Sequence, residues 1–177
     1  YLRPPLILAG VAFLCGALAG WRWRGAATQL GLALMMVLFL NAARVAMISF
    51  DPYLSSQPLA AALKAELAER PGTVVFDNQY YTFSSVFFYA DLLRVRLLNG
   101  RVNNLEYGSY APGAPAVFVH DGGFADLWRG PGRAYILVEK PSVERVRRAA
   151  TAPLYMVKES GGKFLFTNLP PEEQTAP

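Results

Sequence analysis

The chain is 177 residues long, 53% hydrophobic and 17% charged, with a formal net charge of +4. That charge sits in one region: residues 1–50 hold Arg3, Arg22, Arg24 and Arg44 and no acid, while residues 51–177 carry thirteen basic and thirteen acidic side chains. The balanced part lacks the basic footprint of a nucleic-acid binder, and one cysteine with one histidine excludes an intramolecular disulfide and a Cys/His zinc site.

Two apolar segments come first. "PPLILAGVAFLCGALAGW", from Pro4 to Trp21, has no charge, and its Gly10, Ala12, Gly16, Ala17, Ala19 and Gly20 suit close helix packing in lipid. "AATQLGLALMMVLFLNAARVAMISF" follows, from Ala26 to Phe50, interrupted only by Gln29, Asn41 and Arg44. Crossing the hydrocarbon core takes roughly 20 mostly apolar residues, so the segments predict transmembrane helices at about 4–21 and 27–49. The rival reading of the first is a signal peptide, since Arg3 precedes an apolar run ending in Ala-Leu-Ala. The immediate second segment and the interfacial Trp21 and Trp23 favour a membrane hairpin. Arg22 and Arg24 in its turn predict a cytoplasmic turn, with the chain after Phe50 emerging into the bacterial periplasm. Arg44 is expected to snorkel to the interface. Cys15, preceded by Leu14 where a lipobox needs a small residue, reads as a lipid- or helix-facing side chain.

Residues 51–169 read as a soluble α/β domain. Ser56 is a predicted cap for a helix over Pro58–Arg70, with Leu59, Leu63 and Leu67 on one face. "TVVFD" is a strand after Pro71-Gly72, "YYTFSSVFFYADLL" a helix and "RVRLLN" a strand. The long polar stretch "NGRVNNLEYGSYAPGAP" reads as a shaped loop with turns at Gly108 and Pro112. "AVFVHD" is a strand, "FADLW" a short helix, "RAYILVEK" a strand, and Ser142 a cap for a helix over Val143–Ala150. "LYMVKESGGKFLFTNL" is a β-hairpin with a Gly-Gly turn, and residues 170–177 a disordered tail. Strands alternating with helices predict a mainly parallel sheet with the hairpin as its antiparallel edge.

Ligands of open α/β sheets gather at strand carboxyl ends, which here carry Asp77-Asn78, His120-Asp121 and Glu139-Lys140. Neighbours on a strand point to opposite faces, so His120 and Asp121 are not expected to act as a dyad. The nucleophile-elbow, dinucleotide, P-loop and HExxH patterns are absent. Gly161-Gly162-Lys163 is a hairpin tip, and Glu66 and Glu69 lie near the end of an exposed helix face. The candidate contacts are aromatics with polar tips, Tyr80, Tyr81 and Tyr89, and the loop residues Asn103, Asn104, Glu106 and Tyr107. Packing of the helix on the sheet competes as the role of the aromatics. Glu106, without a partner acid or histidine, reads as a hydrogen-bonding group and not a catalyst.

The succession of membrane helices, "FDPYLSSQPLA", "FYADLLRVRLLNGRVNNLEYGSYAPGAP" and "FADLWRG" resembles the C-terminal part of bacterial membrane glycosyltransferases of family 39/83. That C-type fold group includes the lipid A aminoarabinose transferases and the protein O-mannosyltransferases. The resemblance implies transfer of a sugar from a polyprenyl-phosphate donor to a lipid, protein or glycan acceptor at the outer face of the inner membrane. In such enzymes the essential aspartate, often beside a metal-binding acid, lies in a first external loop that has no counterpart here. The resemblance therefore carries over no catalytic residue and no cofactor to this segment, and any divalent metal belongs to the N-terminal part. The tail domain of the group caps the membrane cavity, which makes the loop and the aromatics rim contacts. The alternative is a non-enzymatic, membrane-anchored α/β sensor or assembly module. A start codon just before Tyr1 is the feature expected to separate it from the transferase. A hydrolase built on His120 and Asp121 is a minor third.

Overall fold

The computed structural model describes residues 3–22 and 25–170. They divide into two compact units, Tyr1–Asp51 and Pro52–Pro177. Trp23 and Arg24 of the expected interfacial turn, and all of the expected tail but Pro170, lie outside the described residues.

The first unit is built from α1 (Arg3–Arg22) and α2 (Ala26–Leu54). Their small residues do what the sequence suggests. A Cβ on Gly16 would lie 3.7 Å from Met35 Sδ, and one on Gly20 3.5 Å from Thr28 Cγ2, so the helices approach closely where side chains are absent. Cys15 is free and exposed. Among the described residues one stretch, Thr28–Asp51, is long and apolar enough to cross a membrane. The apolar stretch of α1, Leu6–Arg22, is shorter than that, so the expectation of two spans is met by one helix of full length.

The second unit alternates α3 (Gln57–Glu69), β1 (Thr73–Asp77), α4 (Tyr80–Tyr89), β2 (Arg96–Leu98), α5 (Asn104–Gly108), β3 (Phe118–Val119), α6 (Asp121–Arg129), β4 (Ala134–Glu139), α7 (Val143–Ala150), β5 (Tyr155–Ser160) and β6 (Lys163–Thr167). The strands form one mixed sheet in the order β3-β2-β1-β4-β6-β5. The pairings β3/β2, β2/β1 and β1/β4 are parallel, and β4/β6 and β6/β5 are antiparallel. Gly161 and Gly162 both have positive φ, 57° and 75°, the conformation that a two-residue hairpin turn demands.

Period-two alternation sorts the core into two layers. Val74, Phe76, Leu97, Tyr135, Leu137 and Leu165 face α3 and α4. Val75, Leu98, Ile136, Val138 and Phe166 face α6 and α7. α3 buries Leu59, Ala60 and Leu63, and α4 buries Phe83 and Val86.

The differences from expectation have local causes. α4 ends at Tyr89 and not at Leu93, because Asp91 adopts φ 52° and the chain closes a Schellman turn. In that turn Leu92 N donates to Phe87 O at 3.1 Å and Asp91 N to Phe88 O at 3.5 Å. Neither Ser56 nor Ser142 caps its helix through its side chain. The Ser56 hydroxyl is instead buried and shared with Lys163 and Thr82. In the long loop, α5 forms where none was expected, and the positive-φ positions are Asn99, Asn103 and Gly113, at 53°, 53° and 82°; Gly108 is the last residue of α5.

Asn168 closes the core at one end. Its Nδ2 donates to Trp128 O at 3.0 Å and Gly132 O at 2.9 Å, and its Oδ1 accepts from Ala134 N at 2.8 Å. One buried amide thus ties the end of α6 to the start of β4 with its hydrogen-bonding capacity largely used.

Candidate functional site

Strand order reverses between β1 and β4, and the crevice at the carboxyl ends there is where such sheets place ligands. Here that crevice holds an ion pair. Asp77 ends β1 with a side chain 2% exposed, and Arg145 of α7 donates to its Oδ1. Arg145 also reaches Asp121 Oδ1 at 3.4 Å, and Asn99 Nδ2 donates to the same oxygen at 2.8 Å. Three strand ends, β1, β2 and β3, are thereby tied to one helix. Burial raises the Asp77 carboxyl above its ordinary range, against the lowering influence of the Arg145 guanidinium and the Ser142 hydroxyl. Asp121, the first residue of α6, has its carboxylate turned to Asn99 and Arg145, and His120 is exposed. The two lie past the end of β3 and not on a strand as expected, and no hydrogen bond joins them among the described residues.

Lys163, read from the sequence as a hairpin-tip residue, is buried at the start of β6. Its Nζ donates to Ser56 Oγ at 3.1 Å and Thr82 O at 3.4 Å, both neutral acceptors. Burial holds its ammonium below the usual lysine range, with neighbouring Glu139 acting in the opposite direction. Because the folded value lies below the unfolded one, the charged lysine opposes folding at neutral pH, and stability rises as pH climbs through the folded value toward the unfolded 10.5. Lys163→Met is therefore expected to leave neutral-pH stability within about 1 kcal/mol of wild type, or to raise it, since Ser56 Oγ still donates to Thr82 O. Thermal melts at pH 7 and pH 10 check the sign: the variant's relative standing falls as pH rises.

An open groove of about 1130 Å³ lies along the α3/α4 face of the sheet, between α4, α5 and the segment leading into β3. Of the seven predicted contact residues, Tyr80 and Asn104 line it. The Tyr80 ring is half-buried, 6.5 Å from Phe76 and 6.3 Å from Phe87, so it is a packing residue as well as a wall. Tyr81 is 53% and Tyr89 43% exposed, and Tyr89 stacks edge-on against Phe88 at 5.4 Å. Asn103, at φ 53°, precedes α5, and Asn103, Glu106 and Tyr107 are exposed outside the groove wall. The Glu106 carboxylate makes no hydrogen bond or ion pair among the described residues, while its carbonyl accepts from the Ser109 hydroxyl at 2.7 Å. No cluster of three or more His, Cys, Asp or Glu side chains in metal-holding geometry occurs among the described residues.

Sequence reasoning missed Arg145, Lys163 and the groove walls Val117 and Phe118. The only signal for Arg145 was the spacing that puts it on the first turn of α7, and pairing it with Asp77 requires the sheet order. Glu66, expected on an exposed face, is half-buried. It takes Arg70 Nη2 at 3.2 Å and the Tyr135 hydroxyl at 3.4 Å.

No protein-family model and no curated protein matches the chain. Solved structures do. ArnT from Cupriavidus metallidurans bound to undecaprenyl phosphate matches 99% of this chain at 18% identity with a TM-score of 0.66. The same protein in the apo state matches 95% of it at 16% identity with a TM-score of 0.61. The chain spans only about 30% of the length of ArnT. At such identities the likeness is one of fold: nearly the whole of this chain, apolar helices and α/β unit together, has the fold of part of ArnT.

Proposed function

We propose that this chain is part of an integral-membrane glycosyltransferase that moves a sugar from a polyprenyl-phosphate donor to a lipid, protein or glycan acceptor. The observation that carries the reading is the fold match over 99% of the chain to a protein whose solved structure holds undecaprenyl phosphate. The order of parts in the sequence supports it independently. On this reading α1 and α2 form a membrane hairpin in the bacterial inner membrane and the α/β unit lies in the periplasm. That unit caps the active-site cavity, with Tyr80, Tyr81, Tyr89, Asn103, Asn104, Glu106 and Tyr107 at its rim. It supplies shape and contacts and no catalytic group, and the segment binds no cofactor.

Native mass spectrometry of the complete protein, released from detergent in the presence of undecaprenyl phosphate, tests the donor assignment. A one-to-one adduct that excess polyprenyl phosphate of another chain length competes away is expected. A folded complete protein without any such adduct overturns the assignment.

A further inference from the structure

Asn103, exposed just before α5, has φ 53° and ψ −134°. Positive φ is disfavoured for a residue with a Cβ, although Asn tolerates it better than most. The ψ value carries a chemical consequence. In an L-residue the next backbone nitrogen eclipses Cβ at ψ of about −120°, and helical and extended conformations lie roughly 80° or more from that alignment. Asn103 thus holds the Asn104 nitrogen on the side of its own Cβ, where a five-membered ring through Cγ can close. The Asn103 side chain does not cap α5 and makes no hydrogen bond among the described residues, so Cγ is free to turn toward that nitrogen. Asn104 N, an orphan donor of the first helical turn, donates to no acceptor among them. Both asparagines are exposed, so water and hydroxide reach the segment.

We propose that Asn103 is a site of spontaneous succinimide formation and deamidation, promoted by the folded backbone. Hydroxide takes the Asn104 amide proton, and the nitrogen attacks Asn103 Cγ. A C–N bond forms, the Cγ–Nδ2 bond breaks, and the side-chain nitrogen leaves as ammonia with a proton from water. Water then opens the ring at either carbonyl, giving aspartate or isoaspartate. The product adds a carboxylate to a loop whose charged side chains are Arg101 and Glu106, and the isoaspartyl form also adds a methylene to its main chain. Asn99 is the contrasting case. It precedes Gly100, the least hindered successor, so local sequence favours reaction there over Asn103, which precedes Asn104. In the fold, however, Asn99 Nδ2 donates to Asp121 Oδ1 at 2.8 Å and Asn99 N to Val119 O at 2.8 Å. Gly100 is buried against Leu97 with no room for a Cβ. The fold restrains the asparagine that local chemistry prefers and aligns the other. The inference does not depend on the sugar-transfer reading.

The test incubates the full chain in mildly alkaline heavy-oxygen water, once folded in detergent and once unfolded in guanidinium. Peptides are then mapped by mass spectrometry with fragmentation that separates aspartate from isoaspartate, and far-UV dichroism confirms the fold throughout the first incubation. Folding is expected to speed modification of Asn103 about tenfold through preorganisation and to slow that of Asn99. A mixture of aspartyl and isoaspartyl peptides, each with one heavy oxygen, is the expected signature of the ring. Modification of Asn103 no faster in the folded than in the unfolded chain, or one that yields aspartate alone, overturns the proposal.

Discussion

Trp128→Ala is expected to lower the stability of the α/β unit by about 4 kcal/mol, within the range for truncating a large buried aromatic. Trp128 is 2% exposed and packs on Phe124 with ring centroids 5.3 Å apart. Its indole N–H donates to Pro153 O at 3.0 Å, which joins α6 to the segment after α7. Alanine would leave a cavity beside Phe124 and strand that carbonyl without its donor. Trp128→Phe separates the two contributions: it refills most of the volume and should cost about 1–2 kcal/mol, largely for the unpaired carbonyl. Since small domains retain only about 5–15 kcal/mol in total, the alanine variant should melt far earlier, and thermal unfolding followed by tryptophan-independent far-UV dichroism checks it. A loss below about 1 kcal/mol for alanine would mean that α6 is not packed as described.

The second large effect belongs to Arg145. Breaking a buried ion pair by removing one partner typically costs about 3–5 kcal/mol, because a charge is left without compensation. Arg145 is itself 36% exposed, so the smaller figure of about 2–3 kcal/mol is expected for Arg145→Met at neutral pH. The pH dependence identifies the cause. In the wild type the Asp77 carboxyl already sits above its ordinary value of 3.8 through burial, and without Arg145 it should rise further. A carboxyl whose folded value is raised contributes stability that is fully present below the unfolded value and lost as pH rises through the folded one. The cost of Arg145→Met should therefore be small near pH 4 and grow toward pH 7. Adding Asp77→Asn to the variant should recover most of it at pH 7, because no buried charge then remains. An Arg145→Met penalty independent of pH would show that the arginine acts through packing alone.

These two effects mark where the sequence was readable and where it was not. The strands β1 and β4 follow from short runs of β-branched and aromatic residues, and the hairpin follows from Gly161-Gly162. Helix α7 was bounded correctly at Val143 and Ala150. Local chemistry sufficed in those cases, since alternation and turn residues act over a few positions. Strand order was not local. The reversal between β1 and β4 pairs Asp77 with Arg145, 68 residues away, and nothing in the neighbourhood of either residue announces it. The burial of Lys163 is hidden from local sequence for a similar reason: its acceptors Ser56 and Thr82 come from α3's start and from α4. The candidate site was legible in part. Tyr80 and Asn104 do meet at one groove, but the aromatic run of α4 splits between core and surface according to helical phase. Phe83 is fully buried, whereas Phe88 is 77% exposed.

On the function proposed above, this chain is part of an enzyme that transfers sugar from a polyprenyl-phosphate carrier. The direct measurement is transfer of radiolabelled sugar from a panel of polyprenyl-phosphate donors by the complete protein, reconstituted in bilayers with extracted envelope lipids and proteins as acceptors. Labelled acceptor is predicted with at least one donor, and it should be lost on deletion of residues 52–177 and absent with the 177-residue chain alone. A folded complete protein that leaves every donor intact, or one whose transfer is unchanged by that deletion, would contradict it.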